Sequence, residues 1–116
     1  MSEKIRVGII GCGLISRLRH VPTYKKLAEK VEIASVCDLD EKLASSLAED
    51  FSIPSRHKAA YEMLSKENLD LVDICVPSFK HVDYVVEALA AGKNVLSEKP
   101  LSISSKDALR AVNAAK

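Results

Sequence analysis

The sequence predicts a doubly wound parallel α/β sheet, and three observations carry that expectation. Short Val- and Ile-rich runs recur along the 116 residues, longer helical patterns separate them, and a glycine pair follows the first run directly. The runs are nearly continuous in apolar character, as parallel strands covered by helices on both faces are. Composition supports a core: 47% of the residues are hydrophobic, while 17 basic and 16 acidic side chains nearly cancel. That balance, with 4% aromatics and no tryptophan, argues against a nucleic-acid binder that works through charge or base stacking.

The elements follow in order. Ile5 to Ile10 reads as the first strand, Val31 to Cys37 as the second and Leu71 to Val76 as the fourth. Asn94 to Ser97 is the fifth, and Ser55 to His57, after Pro54, is a faint third. The first helix opens at Leu14 and is expected to bend or restart at Pro22, which lacks the N–H that a helix interior uses. The second runs from Asp40 to about Phe51 with Leu43, Leu47 and Phe51 on one face. Ala60 to Lys66 is short. Phe79 to Ala91 turns Val82, Val85, Val86 and Leu89 inward and stops at Gly92. A last helix starts near Ser104, where Ser104 and Asp107 have capping-box spacing. Right-handed crossovers then predict strand order 3-2-1-4-5 in one domain, residues 1–116, with the sixth strand of a complete dinucleotide fold missing after Lys116.

Targeting and redox signals are plain. No apolar stretch approaches the length of a membrane helix, and the start (Met1-Ser2-Glu3-Lys4, then Ile5 to Ile10) is wrongly built for a secretory signal. A cytoplasmic protein is expected. Cys12, Cys37 and Cys75 form no C-x-x-C pair, so partly buried thiols are expected and no metal site.

The chemistry concentrates at strand ends. In Gly11-Cys12-Gly13-Leu14-Ile15-Ser16, Gly11 permits a tight turn and Gly13 leaves room for a pyrophosphate. Backbone amides from Gly13 through Leu14 to Ile15 would face the phosphates from a helix N-terminus. The third position of the fingerprint holds Ser16, a small residue, where glycine is usual. Asp38 follows Gly13 by 25 residues and ends the second strand, where a carboxylate accepts the adenosine ribose hydroxyls. It would repel a 2′-phosphate, and Leu39 and Asp40 offer no compensating cation, so NAD is expected over NADP. Pro77, Ser78 and His81 follow the fourth strand, beside the crevice on the nicotinamide side.

Ser97-Glu98-Lys99-Pro100 completes a pattern. Gly11-x-Gly13, Asp38, Pro77-Ser78-x-x-His81 and Gly92-Lys93-Asn94-Val95 leading into Glu98-Lys99-Pro100 resemble the N-terminal domain of the Gfo/Idh/MocA oxidoreductases across essentially the whole chain. The resemblance implies that Lys99 stands near the nicotinamide and the substrate hydroxyl and assists proton transfer. It implies that Glu98 lies beside the nicotinamide ribose. Ser78 replaces the family's usual asparagine, which weakens that polar contact.

Family members are about three times as long and carry a second domain with the substrate surface, so an isolated cofactor domain is expected, inactive alone. The parent reaction would be hydride transfer between NAD and a sugar, cyclitol or related polyol. Two alternatives remain: a non-catalytic, repressor-like NAD sensor, or an NAD-assisted glycosidase. The fifth strand should present an unpaired edge, so self-association is expected there.

Overall fold

The structure is a computed structural model that describes residues 4–77, 80–97, 109 and 112–115. Five parallel strands form one sheet in the order β3-β2-β1-β4-β5. They are β1 (Ile5–Ile10), β2 (Val31–Cys37), β3 (Ser55–His57), β4 (Leu71–Ile74) and β5 (Asn94–Ser97). The helices are α1 (Val21–Lys26), α2 (Glu41–Asp50), α3 (Ala60–Lys66) and α4 (His81–Ala90). The expected strand order holds. β4 stops at Ile74, two residues before the expected end, because its pairing with β1 and β5 ends there.

Each sheet face buries its own core. Ile10, Val72 and Ile74 pack with Met63, Leu64, Val82, Val85 and Ala88 of α3 and α4. Val7, Ile9, Ile33 and Val36 pack on the other face with Val21, Ala44, Leu47 and Ala48. Burying one such branched side chain is worth about 1.5–3 kcal/mol, which explains why these strands are apolar on both sides.

Two helix faces differ from expectation. In α2 the buried stripe is Ala44, Leu47 and Ala48, with Phe51 half-buried and Leu43 41% exposed. Leu43 instead borders the pocket described below. In α4 the buried residues are His81, Val82, Val85 and Ala88, and Val86 and Leu89 pack only at the margin. Small alanines sit where helix and sheet approach most closely.

Pro22 does not break the first helix. Residues 14–26 are helical throughout, and Ser16–His20 widens into a π-helical turn, closed by Val21 N–H donating to the Ser16 carbonyl. The wide turn falls just ahead of the proline, so α1 restarts at Val21 with Pro22 in its first turn, and the widened turn makes room for the ring and its missing N–H within the continuous helical run. Asp40 caps α2, its carboxylate accepting from the amides of Lys42 (3.0 Å) and Leu43 (3.4 Å). Gly92, at φ +80°, ends α4 as expected. The start of the last helix near Ser104 lies outside the described residues; residues 112–115 are helical.

Candidate functional site

The C-terminal ends of β1, β2 and β4 surround a pocket of about 320 Å³, the crevice position at which doubly wound sheets bind ligands. That volume suits one nucleoside-sized group. Gly11, Gly13, Asp38, Leu39 and Leu43 line it, together with Lys58, Val76, Pro77, Lys80 and Tyr84.

Gly11 is required by space and by backbone. Its φ is +104°, and a Cβ would stand 2.6 Å from the Cys75 carbonyl oxygen of the neighbouring strand end. Gly13 is different: a Cβ there meets nothing within 4 Å, so the position faces open space above the pocket floor. The first intrahelical bond runs from Arg17 N–H to the Gly13 carbonyl (3.1 Å), and the amides of Leu14 and Ile15 precede it. Leading amides of this kind suit an anion. Ser16 is fully buried, and its hydroxyl donates to the Gly11 carbonyl. The residue that departs from the glycine fingerprint thus ties the turn to its helix.

Asp38 is held by backbone. Its Oδ2 accepts from Cys12 N–H (2.8 Å) and its Oδ1 from Asp40 N–H (2.8 Å). These bonds lock the carboxylate between the glycine turn and the β2–α2 connection. Each oxygen keeps a further acceptor site. Burial, reinforced by the Asp38 charge, pushes the thiols of Cys12 and Cys37 up to about 12, so both stay protonated at neutral pH.

His81 points under the pocket, 2% exposed. Its Nε2 bonds the Val76 carbonyl, and its Nδ1 lies 3.5 Å from the Ser97 hydroxyl. It therefore fastens the β4–α4 connection to the end of β5. Pro77 lines the pocket. Ser78, Glu98 and Lys99 lie outside the described residues. Lys58, Lys80 and Tyr84 were not evident in the sequence. Lys58 follows a three-residue strand with almost no apolar signal, Lys80 is the N-cap of α4, and Tyr84 sits in that helix, whose inner face dominated the pattern.

A second polar cluster lies apart from this pocket. Asp73 is fully buried in β4, and its Oδ2 accepts from the Tyr24 hydroxyl (2.7 Å) and meets His20 Nδ1 at 2.5 Å. Cys75 Sγ is 3.5 Å from both Asp73 Oδ1 and His20 Nδ1. His20, Asp73 and Cys75 are metal-ligating residue types in one place. Two donors bound to one tetrahedral zinc at about 2.0–2.2 Å stand well over 3 Å apart, so the 2.5 Å contact is a hydrogen bond and the cluster a hydrogen-bonded lock.

Comparison with known proteins agrees with this geometry. Residues 5–116 match the model of the Gfo/Idh/MocA family, described as an oxidoreductase family with an NAD-binding Rossmann fold. D-apiose dehydrogenase of Paraburkholderia graminis is 33% identical over 106 residues, 91% of this chain and 28% of that protein. The WlbA dehydrogenase of Bordetella pertussis, solved with NADH and UDP-GlcNAcA, superposes with a TM-score of 0.93 at 28% identity over 97% of this chain and 34% of that one. KijD10, a 3-ketoreductase of Actinomadura kijaniata solved with NADP, gives 0.87 at 30% identity over 97% and 36%. The chain thus spans about a third of the length of such relatives. Among the described residues no helix is long and apolar enough to cross a membrane. The glycine turn, the strand order and the family match together show that this chain belongs to the Gfo/Idh/MocA oxidoreductases, of which it carries the NAD-binding Rossmann domain.

Proposed function

We propose that the chain is the cofactor-holding unit of an NAD-dependent oxidoreductase whose substrate is a sugar, a cyclitol or a related polyol. One observation carries the reading: a carboxylate pinned by two backbone amides stands at the lip of a pocket floored by Gly11 and Gly13. The residues fit a dinucleotide. Asp38 would accept the adenosine ribose hydroxyls, the space over Gly13 would admit the pyrophosphate, and the amides of Leu14 and Ile15 would face it. Bound NAD supplies the hydride acceptor. Leu39, Leu43 and Tyr84 offer apolar walls that would exclude water from the adenine.

In the resemblance, Lys99 assists cofactor binding and the proton transfer of the substrate hydroxyl, Glu98 lies beside the nicotinamide ribose, and Ser78 stands where the family has asparagine. The dehydrogenase and ketoreductase names of the relatives favour hydride transfer over a sensing module or an NAD-assisted glycosidase. The substrate surface is proposed to lie in sequence beyond these residues. β5, at the sheet edge with Leu96 46% exposed, is proposed as a self-association surface, and light scattering across a concentration series reads it.

Titration of NADH fluorescence tests the cofactor reading. Saturable binding is expected, with Asp38→Ala weakening it roughly ten- to a hundred-fold, the worth of one or two charged hydrogen bonds. Unchanged affinity in a folded Asp38→Ala variant would remove Asp38 from the site.

A further inference from the structure

The pocket of about 320 Å³ suits one nucleoside-sized group, whereas a dinucleotide carries two. Asp38 follows β2 and the glycine turn follows β1, so a ligand laid from the first across the second continues over β4 toward β5. The second nucleoside would rest where those two strands end. Main-chain pairing stops there: Ile74 and Ser97 are the last pair of the β4–β5 ladder. Val76 and Pro77 border the pocket, and Ser97 directly precedes Glu98-Lys99-Pro100 in the sequence.

His81 stands at this fork. It is the first residue of α4 and 2% exposed, on a helix face whose other buried residues, Val82, Val85 and Ala88, are apolar. Burying an imidazole that deeply costs desolvation that a valine or leucine would not incur, and here both ring nitrogens are engaged. Nε2 bonds the Val76 carbonyl, five positions back, and Nδ1 lies 3.5 Å from the Ser97 hydroxyl, sixteen positions on. A carbonyl oxygen only accepts, so Nε2 carries a hydrogen. In the neutral ring Nδ1 is then the acceptor and the Ser97 hydroxyl the donor. One rigid ring thus spans the two strand ends just above their last ladder pair. At 2% exposure it has no surface to offer a ligand, so it can act only through the groups it holds.

We propose that His81 is a positioning residue for the nicotinamide half of the cofactor: by tying Val76 to Ser97 it fixes the spacing of the two strand ends that grip the second nucleoside. On one side it acts through Val76 and Pro77, and on the other through Ser97, which leads the chain into Glu98 and Lys99. The adenosine half rests on the Asp38 carboxylate and the glycine turn, which are anchored separately by the Cys12 and Asp40 amides. The inference rests on the cofactor reading above and deepens it.

The test compares NADH with ADP, which ends at the pyrophosphate, on the full chain: NADH by its fluorescence and ADP by competition. Ser97→Ala removes the β5 link. His81→Gln places a donor near the Nε2 position and nothing at the Nδ1 position. Wild type should bind NADH more tightly than ADP. In each variant NADH affinity should fall about three- to ten-fold, the worth of one neutral hydrogen bond, with ADP affinity unchanged. The two changes should not add, because both cut the same link, so the double variant should match the single ones. A merely structural histidine would weaken both ligands alike or neither. Either result in folded Ser97→Ala overturns the proposal, as does equal binding of the two ligands by wild type. Ser97 is half-buried at the strand end, so its variant decides the matter even where far-ultraviolet spectra show His81→Gln unfolded. Failure of wild type to bind either ligand overturns the cofactor reading instead, so the two results are distinguishable.

Discussion

Asp38 and Asp73 are two carboxylates on neighbouring parts of one sheet, and they have opposite fates. Asp73 is fully buried and meets only side chains, with Tyr24 and His20 on one oxygen and Cys75 beside the other. Asp38 is half-buried and is oriented by two amides that belong to the turns it bridges. Side-chain partners from α1, the π-helical turn and the residue after β4 take up Asp73, which is itself fully buried. Backbone partners hold Asp38 from behind and leave its outer face to the pocket. A polar cluster in a core is therefore no sign of a site. What marks the site is a charged group fixed by the main chain at an opening.

Removing the carboxylate of the lock should have the largest effect on stability. Asp73→Ala takes the shared, fully buried acceptor from the half-buried Tyr24 hydroxyl and His20 ring, and removing one partner of a buried charged network costs about 3–5 kcal/mol. Urea unfolding reads it. A loss under 1 kcal/mol would show that the lock is dispensable. Gly13→Val makes the opposite cut: its side chain enters open space, so the urea midpoint should hardly move while NADH binding is abolished. A folded Gly13→Val variant that still binds NADH would place the pyrophosphate elsewhere.

Much of this contrast could be read from sequence, and the reason for the rest is physical. The positions of β1, β2, β4 and β5 follow from continuous apolar runs, whereas β3, Ser-Arg-His, is legible only faintly from its place after Pro54. Gly11 and Asp38 were legible because backbone geometry demands particular residues at fixed spacing. Lys58 was not, since its place beside Asp38 arises from β2–β3 pairing and not from adjacency along the chain. The Asp73 lock was hidden too. His20, Tyr24 and Asp73 are up to 53 positions apart, and a lone Asp inside an apolar strand gives no hint of its partners. Periodicity also misjudged α2, because a large exposed Leu43 reads like core when it borders a ligand pocket.

The thiols sharpen the comparison at high pH. Cys12 and Cys37 keep their protons in the folded protein up to about 12, mainly through burial and then through Asp38, whereas in the unfolded chain they ionise near 9.0. Above that value the unfolded state holds fewer protons, so stability should fall as pH rises from 9 toward 12. Urea midpoints at pH 8 and 10.5 measure the loss. Asp38→Asn removes the second cause and should make the decline level off at a lower pH, read by continuing the midpoints to pH 12. A levelling pH unaltered by that change would show that burial acts alone.

The smallest effect is expected at the acid end, in the cluster that fastens β3 to the end of α3. Glu67, at the end of α3, accepts from the Ser55 hydroxyl (2.6 Å) and meets His57 Nε2 at 2.7 Å. The Ser55 bond, followed by the His57 bond, holds its carboxyl below the usual 4.5. A depressed carboxyl stabilises the fold above 4.5, and that contribution is lost as pH falls through the folded value. The pair is partly open to solvent, 12% for His57 and 18% for Glu67, so removing one partner should cost only about 1 kcal/mol. Ser55→Ala should therefore lower stability slightly at pH 7 and flatten its decline between pH 5 and 3. Because Ser55 lies in β3 and Lys58 directly follows that strand, the same variant asks whether the edge strand is held independently of the pocket. NADH affinity should stay at the wild-type value; a parallel loss of binding would tie the Lys58 side of the cofactor site to the Ser55–His57–Glu67 cluster.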